Sequence, residues 1–354
     1  MPFSEVKPLS QNDLLYCLPK QELERLVSAC CKGAQSIWLV QGDFRMGKTS
    51  FFNATASELA RVNVVPCQVQ FSPTSGKVFP DLLKWLAEQV WESTRLPCTE
   101  ISFQYGTDFL RFLNHVIEQL ASKTPAHQPP RLALLLDNVS RLERNVLDDF
   151  ASVLVELIDD RSRFQGLNWV TVIITGGVYL ESLDTRVSTL NDRIDLSQST
   201  TLILPELDQH QCLTLVQNGL QDLNWLAQDQ VTSIGDQIYS KTHGHPALIH
   251  SIGGKIYSEL EGGKPVNGAL VDDAAEFLAG RLAMMKSTFR SSLERAQQDW
   301  HLLDDARSLV RSDMQYSRND PVIRRLEILG LVKQHNGRCV LRNEIFRKAL
   351  EIWR

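Results

Sequence analysis

"QGDFRMGKTS", residues 41–50, decides how this chain is read. Gly42, Asp43, Phe44, Arg45, Met46, Gly47, Lys48 and Thr49 fit G-x-x-x-x-G-K-[ST] at every fixed position, and Ser50 follows. With glycine at about 7% of residues, such a match arises by accident in roughly one chain of this length in a hundred. Chemistry explains the residue types. Backbone N–H groups must converge on phosphate oxygens, so Gly42 and Gly47 supply turns that a side chain would obstruct. Lys48 neutralises β- and γ-phosphates, and Thr49 offers a hydroxyl to Mg²⁺. The helix that follows turns its dipole and free N–H groups toward the same anion. Residues 42–50 are therefore expected to bind ATP or ADP with Mg²⁺.

The flanks supply the context the motif requires. "SIWLVQG" before it reads as a buried strand and "KTSFFNATASELARV" after it has helical spacing. Further out, "KQELERLVSACCKG" reads as an amphipathic helix stopped by Gly33, and "NVVPCQVQF" as a second strand. "PDLLKWLAEQVW" and "FLRFLNHVIEQLAS" are helical, and "KTPAHQPP" is a surface loop. "RLALLLD" has the look of a central parallel strand, followed by a helix through "VLDDFASVLVELIDD" and by the strands "NWVTVIIT" and "TTLILPEL". Strands alternating with helices predict an α/β fold, a parallel-sheet P-loop NTPase domain over residues 1–206. The pattern then stays helical, with no strand up to about residue 318, which predicts a helical lid over 207–285. Residues 286–354 end in a helix opened by Asp320-Pro321, the short strands "LVKQH" and "RCVLR" around an Asn336-Gly337 turn, and a last helix. Helix, hairpin, helix predicts a winged-helix domain.

Other residues complete the candidate site. Asp137, closing "RLALLLD" about 90 residues after the loop, is the expected second Mg²⁺ contact, through water, with a solvated strand-end cap as the bland alternative. The next position is occupied by Asn138. Hydrolytic relatives of this layout place a glutamate there to polarise the attacking water, and an amide cannot accept its proton. ATP hydrolysis is expected to be slow unless another acid, such as Glu143 or Asp43, substitutes. Thr175, closing "VTVIIT", lies where a polar residue could sense the γ-phosphate, against the plainer reading of a structural strand-end threonine. Arg193 is a candidate finger toward a neighbouring subunit's nucleotide, against the plainer reading of a solvated arginine.

Composition narrows the class. The 354 residues include 43% hydrophobic and 22% charged types, values of a globular chain long enough for two or three domains. A net charge of −5 argues against wholesale nucleic-acid binding. No window approaches about 18 uninterrupted apolar residues, and "MPFSEVKPLSQND" lacks a charged-then-apolar signal, which predicts a cytoplasmic protein with no membrane partner. The seven cysteines form no C-x-x-C pair, so reduced structural thiols are expected.

With these residues in place the chain resembles the STAND and archaeal-type ATPases of the AAA+ class over most of its length. "KQELERL" looks like the helix before their phosphate loop, and "GDFRMGKTSFF" and "LALLLDN" like their two nucleotide motifs. "THGHPALI", residues 242–249, resembles the Gly-x-Pro motif of their lid, which would place Gly244 and Pro246 against the nucleotide's base. "LEILGLVKQHNGRCVLRNEIFRKAL" resembles their winged helix. The chain departs from the pattern at Asn138, in having no arginine directly after "VIITGG", and in lacking a histidine–aspartate latch, for which His335 is a poor substitute.

The resemblance implies a molecular switch whose nucleotide state controls the docking of lid and winged helix, in signalling, defence or mobile-element control. It implies a protein partner and often a homo-oligomer. The alternative is a DNA-binding AAA+ ATPase of the origin-recognition or transposition-regulator type. Residues 320–354 carry eight Lys/Arg against four Asp/Glu, and Arg324, Arg325 and Arg338 would be the residues to meet phosphates.

Overall fold

The computed structural model describes residues 3, 8–10, 12–33, 37–42, 45–72, 78–97, 102–123, 129–175, 199–284, 300–311, 314–317, 320–328 and 330–352. Cα proximity divides the chain into two compact units. The sheet unit is Leu18–Gly42 with Lys48–Leu204, and the helical unit is Met1–Cys17 with Asp43–Gly47 and Pro205–Arg354.

In the sheet unit the elements run α1 (Lys20–Lys32), β1 (Ile37–Gln41), α2 (Lys48–Arg61), β2 (Val65–Gln70), α3 (Phe79–Thr94), α4 (Gly106–Lys123), β3 (Leu132–Asp137), α5 (Arg144–Asp159), β4 (Val170–Thr175) and β5 (Ser199–Ile203). The five strands lie in the order β2-β3-β4-β1-β5, all parallel. Such a sheet is covered on both faces, which is why β3 and β4 are buried along their whole length and β3 reads as an apolar run up to Asp137. Leu132, Leu134 and Leu136 enter one core with α3, α4 and α5, while Ala133 and Leu135 enter the other with α1 and α2. Gly33 ends α1 in the left-handed region at φ 72°.

The helical unit contains α6 (Gln209–Leu220), α7 (Gln228–Thr242), α8 (Pro246–Glu261), α9 (Leu270–Met284), α10 (Trp300–Arg311), β6 (Met314–Gln315), α11 (Pro321–Ile328), β7 (Val332–His335), β8 (Arg338–Leu341) and α12 (Glu344–Ile352). Asp208 and Gln211 form a capping box at the start of α6. The hairpin β7–β8 turns through Asn336 and Gly337, at φ 49° and 77°, as the Asn-Gly pair requires. β6 adds a third strand by pairing Met314 with Cys339. This corrects the reading of 207 to about 318 as strand-free, since two residues are too few to show an alternating pattern. Residues 3, 8–10 and 12–17 pack with this unit, where Phe3 and Leu15 join its core. Among the described residues no helix is long and apolar enough to cross a membrane.

Candidate functional site

β1 ends at Gln41 and α2 begins at Lys48, so the loop between them lies at the C-terminal end of β1, where open parallel sheets gather ligands. Arg45 and Gly47 take φ of 60° and 84°. A Cβ at Gly47 would meet nothing within 4 Å, so its backbone conformation rather than space calls for glycine. Asp43 and Phe44 lie outside the described residues, Met46 is buried, and Ser50 is buried in the first turn of α2. Lys48 folds back on the loop, and its Nζ donates to the Gly42 carbonyl oxygen at 2.6 Å. Burial pulls the Lys48 ammonium down to about 8, against the opposing pull of the Asp137 charge.

Sheet register brings the other candidates together. Leu136 of β3 pairs with Ile174 of β4, so Asp137 and Thr175 follow side by side on one pleat. Both are buried, with exposures of 1% and 0%. The Thr175 hydroxyl donates to Asp137 Oδ1. From α2, the Thr49 hydroxyl donates to Asp137 Oδ2 at 2.7 Å. The Asn138 N–H donates to Thr175 Oγ1 at 3.3 Å. Thr49, Asp137, Thr175 and Asn138 thus form one hydrogen-bonded chain beside Lys48, assembled from α2, β3 and β4. The oxygens of Thr49 and Asp137 are the hard donors that Mg²⁺ prefers. These are the residues that could hold such an ion, which would supply positive charge against phosphate oxygens.

Asn138 carries a feature the sequence reading missed. Its φ is 61°, and it caps the short 3₁₀ turn Val139–Arg141 in a left-handed conformation. Asparagine is among the few non-glycine residues that adopt this region readily. An Asn directly after a strand-end acid was the available signal. Asn138 therefore has a conformational role beside its missing basicity.

Gly244 and Pro246 belong to the helical unit. A Cβ on Gly244 would fall 1.9 Å from the Leu207 carbonyl oxygen, and Gly244 has φ 82°. The Leu207 N–H donates to the Gly244 carbonyl at 2.9 Å. Pro246 opens α8 as its first residue. Close backbone approach and helix initiation thus give both residues a local reason. Arg193 lies outside the described residues, as do the side chains of Arg324 and Arg325 on α11. His335 is exposed at the end of β7.

Comparison with known proteins fits this geometry. The profile for an AAA-like domain matches residues 6–351. The chain belongs to the AAA-like domain family. Among solved structures, a Walker-type ATPase of Pyrococcus abyssi superposes on this AAA-like chain with TM-score 0.68 at 12% identity, over 99% of this chain and 100% of that one. The ORC2 protein of Aeropyrum pernix, in its ADPNP–ADP complexes, gives TM-score 0.53 at 14% identity, over 96% and 98%. At these identities the likeness is one of fold, that of archaeal-type AAA+ P-loop ATPases. No curated protein matches the sequence.

Proposed function

We propose that this AAA-like chain is an ATP-binding switch that hydrolyses its nucleotide slowly. The observation that carries this reading is the Thr49–Asp137–Thr175 cluster beside Lys48, at the strand ends that flank the phosphate loop. In it, residues 42–50 hold the phosphates, Lys48 supplies charge, and Thr49 and Asp137 hold Mg²⁺, Asp137 through water. Thr175 reports the γ-phosphate to β4. The Asn138 side chain can orient a water and cannot take its proton, so the step that needs a base is left weak. Losing a general base typically costs about 10²- to 10⁴-fold, which takes a turnover near 10 s⁻¹ to roughly 10⁻¹ to 10⁻³ s⁻¹. An ATP state of that lifetime is long enough to assemble with a protein partner or a second copy. On this reading, residues 1–206 are the nucleotide domain, 207–285 a lid that presents Gly244 and Pro246 to the base, and 286–354 a winged helix whose docking the nucleotide controls.

Calorimetry with ATP and Mg²⁺, followed by single-turnover hydrolysis, tests the proposal. Binding with slow turnover is expected. Fast turnover by the chain alone would replace the switch with an ordinary ATPase.

A further inference from the structure

The Thr175 hydroxyl stands at the centre of the strand-end cluster, and its proton is already placed. Oγ1 donates to Asp137 Oδ1 and accepts the Asn138 N–H at 3.3 Å. A hydroxyl has one proton to give. Thr175 is also 0% exposed, so it offers a phosphate oxygen neither surface nor proton. Whatever Thr175 does for a nucleotide, it does through the groups it holds.

Those groups fix a carboxylate. Ala133 and Leu135 of β3 enter the core shared with Phe51 and Phe52 of α2, and Asp137 follows them onto that face at a spacing of two. Thr175 follows Ile173 of β4 onto the same face. The other neighbour of β4 is β1, where Val40 pairs with Thr175 two residues before Gly42. The carboxylate is held at both oxygens, Oδ1 by Thr175 from β4 and Oδ2 by Thr49 from α2 at 2.7 Å. Thr49 gives its proton to Oδ2, which leaves its oxygen lone pairs for a cation. The terminal torsion of an aspartate is broad and roughly two-fold, so it needs outside restraint. Without the bond from Thr175, the bond from Thr49 is the only one left on this side chain among the described residues.

We propose that Thr175 is a positioning residue for Mg²⁺, one that orients the Asp137 carboxylate for the ion rather than touching the γ-phosphate. The inference rests on the reading of residues 42–50 as an ATP site and names how Thr175 takes part in it. Hydrogen-bond partners behind a metal ligand typically change metal affinity about 10- to 100-fold. The same hydroxyl accepts the N–H of Asn138, whose φ is 61°, so it also ties the metal acid to the left-handed turn that follows.

The test measures ATP and ADP affinity of the full chain by calorimetry, each across a Mg²⁺ titration and again with a chelator present. Thr175→Val removes the hydroxyl and keeps the branched shape, while Thr175→Ser keeps the hydroxyl. In Thr175→Val the Mg²⁺ midpoint is expected to rise about 10-fold or more for both nucleotides, with metal-free affinity retained. Thr175→Ser should return the midpoint to its original value. A loss confined to ATP would overturn the inference in favour of direct contact with the γ-phosphate. An equal loss with and without Mg²⁺ would overturn it in favour of a purely structural threonine. Thermal melts without nucleotide check folding; if Thr175→Val does not fold, Thr175→Cys, whose thiol donates only weakly, carries the same comparison. Failure of the unmodified chain to bind either nucleotide would sink the reading of the site and this inference together. Binding with no Mg²⁺ dependence, or with one that Thr175→Val leaves alone, would overturn the inference and leave the nucleotide site standing.

Discussion

Lys48 is where the sequence motif and its structural environment meet. Lys48→Ala is expected to abolish ATP binding in calorimetry with the fold retained, and unchanged affinity would mean a misassigned site. A second expectation follows from the burial that lowers its pKa from the ordinary 10.5 to about 8. Phosphate favours the charged form. Below pH 8 Lys48 already carries its proton and affinity should be flat. Above pH 8 binding must take up a proton, and Kd should rise about tenfold per pH unit, with uptake visible in buffers of different ionisation enthalpy. The same depressed value makes the nucleotide-free fold gain stability as pH rises from 8 toward 10.5, since only the unfolded Lys48 stays protonated there. Asn138→Glu should raise single-turnover hydrolysis and barely move ATP affinity. It should also cost on the order of 1–2 kcal/mol in stability, because glutamate lacks asparagine's tolerance of φ 61°. Asn138→Gly, which keeps the conformation without adding a base, separates the two effects. A fast unmodified chain with no gain from Asn138→Glu would promote a different acid.

At the scale of elements, the segment after β5 is a joint. Glu206 pairs with Lys333 of β7 at 2.8 Å and with Arg342, just after β8, at 3.0 Å. Burial pulls the Arg342 guanidinium down to about 10, which leaves it charged opposite Glu206 at neutral pH. The adjoining Leu207 meets Gly244, and His243 Nδ1 lies 3.0 Å from the Arg342 carbonyl oxygen. Glu206→Ala is expected to destabilise the helical unit by about 1.5–3 kcal/mol in urea unfolding, the range for hydrogen bonds to charged groups. A loss under about 0.5 kcal/mol would make the joint a surface pairing of little consequence. The sequence shows each of the elements here, because caps, the Asn-Gly turn and the helical periods are local signals. It does not show Glu206 as their joint, since its partners are 127 and 136 positions away.

For the whole molecule, the basic excess at the C-terminal end weighs between a protein and a DNA partner. Among the described residues, Lys333 and Arg342 pair with Glu206, and Lys348 pairs with Glu276 at 3.2 Å. That pairing weakens the footprint for phosphates, so duplex DNA binding is expected to be weak with a shallow salt dependence. Charge reversal at Arg324 and Arg325 should leave ATP affinity alone and weaken whichever macromolecule meets α11. An effect confined to ATP would place that face in the service of the nucleotide site. The sequence by itself determined the parallel-sheet class, the phosphate loop and the strand-end acid. Those follow from local residue types and from apolar runs that only a doubly covered sheet can bury. Tertiary structure alone decided that Thr175 and Thr49 share the Asp137 carboxylate, because sheet register sets a neighbour 38 positions away and the packing of α2 sets one 88 positions away. It alone set the Phe3 ring against Gly219 and Gly253 of the same unit, where an added Cβ would fall 2.1 and 2.4 Å from the ring, since such a slot exists only once those two helices have packed.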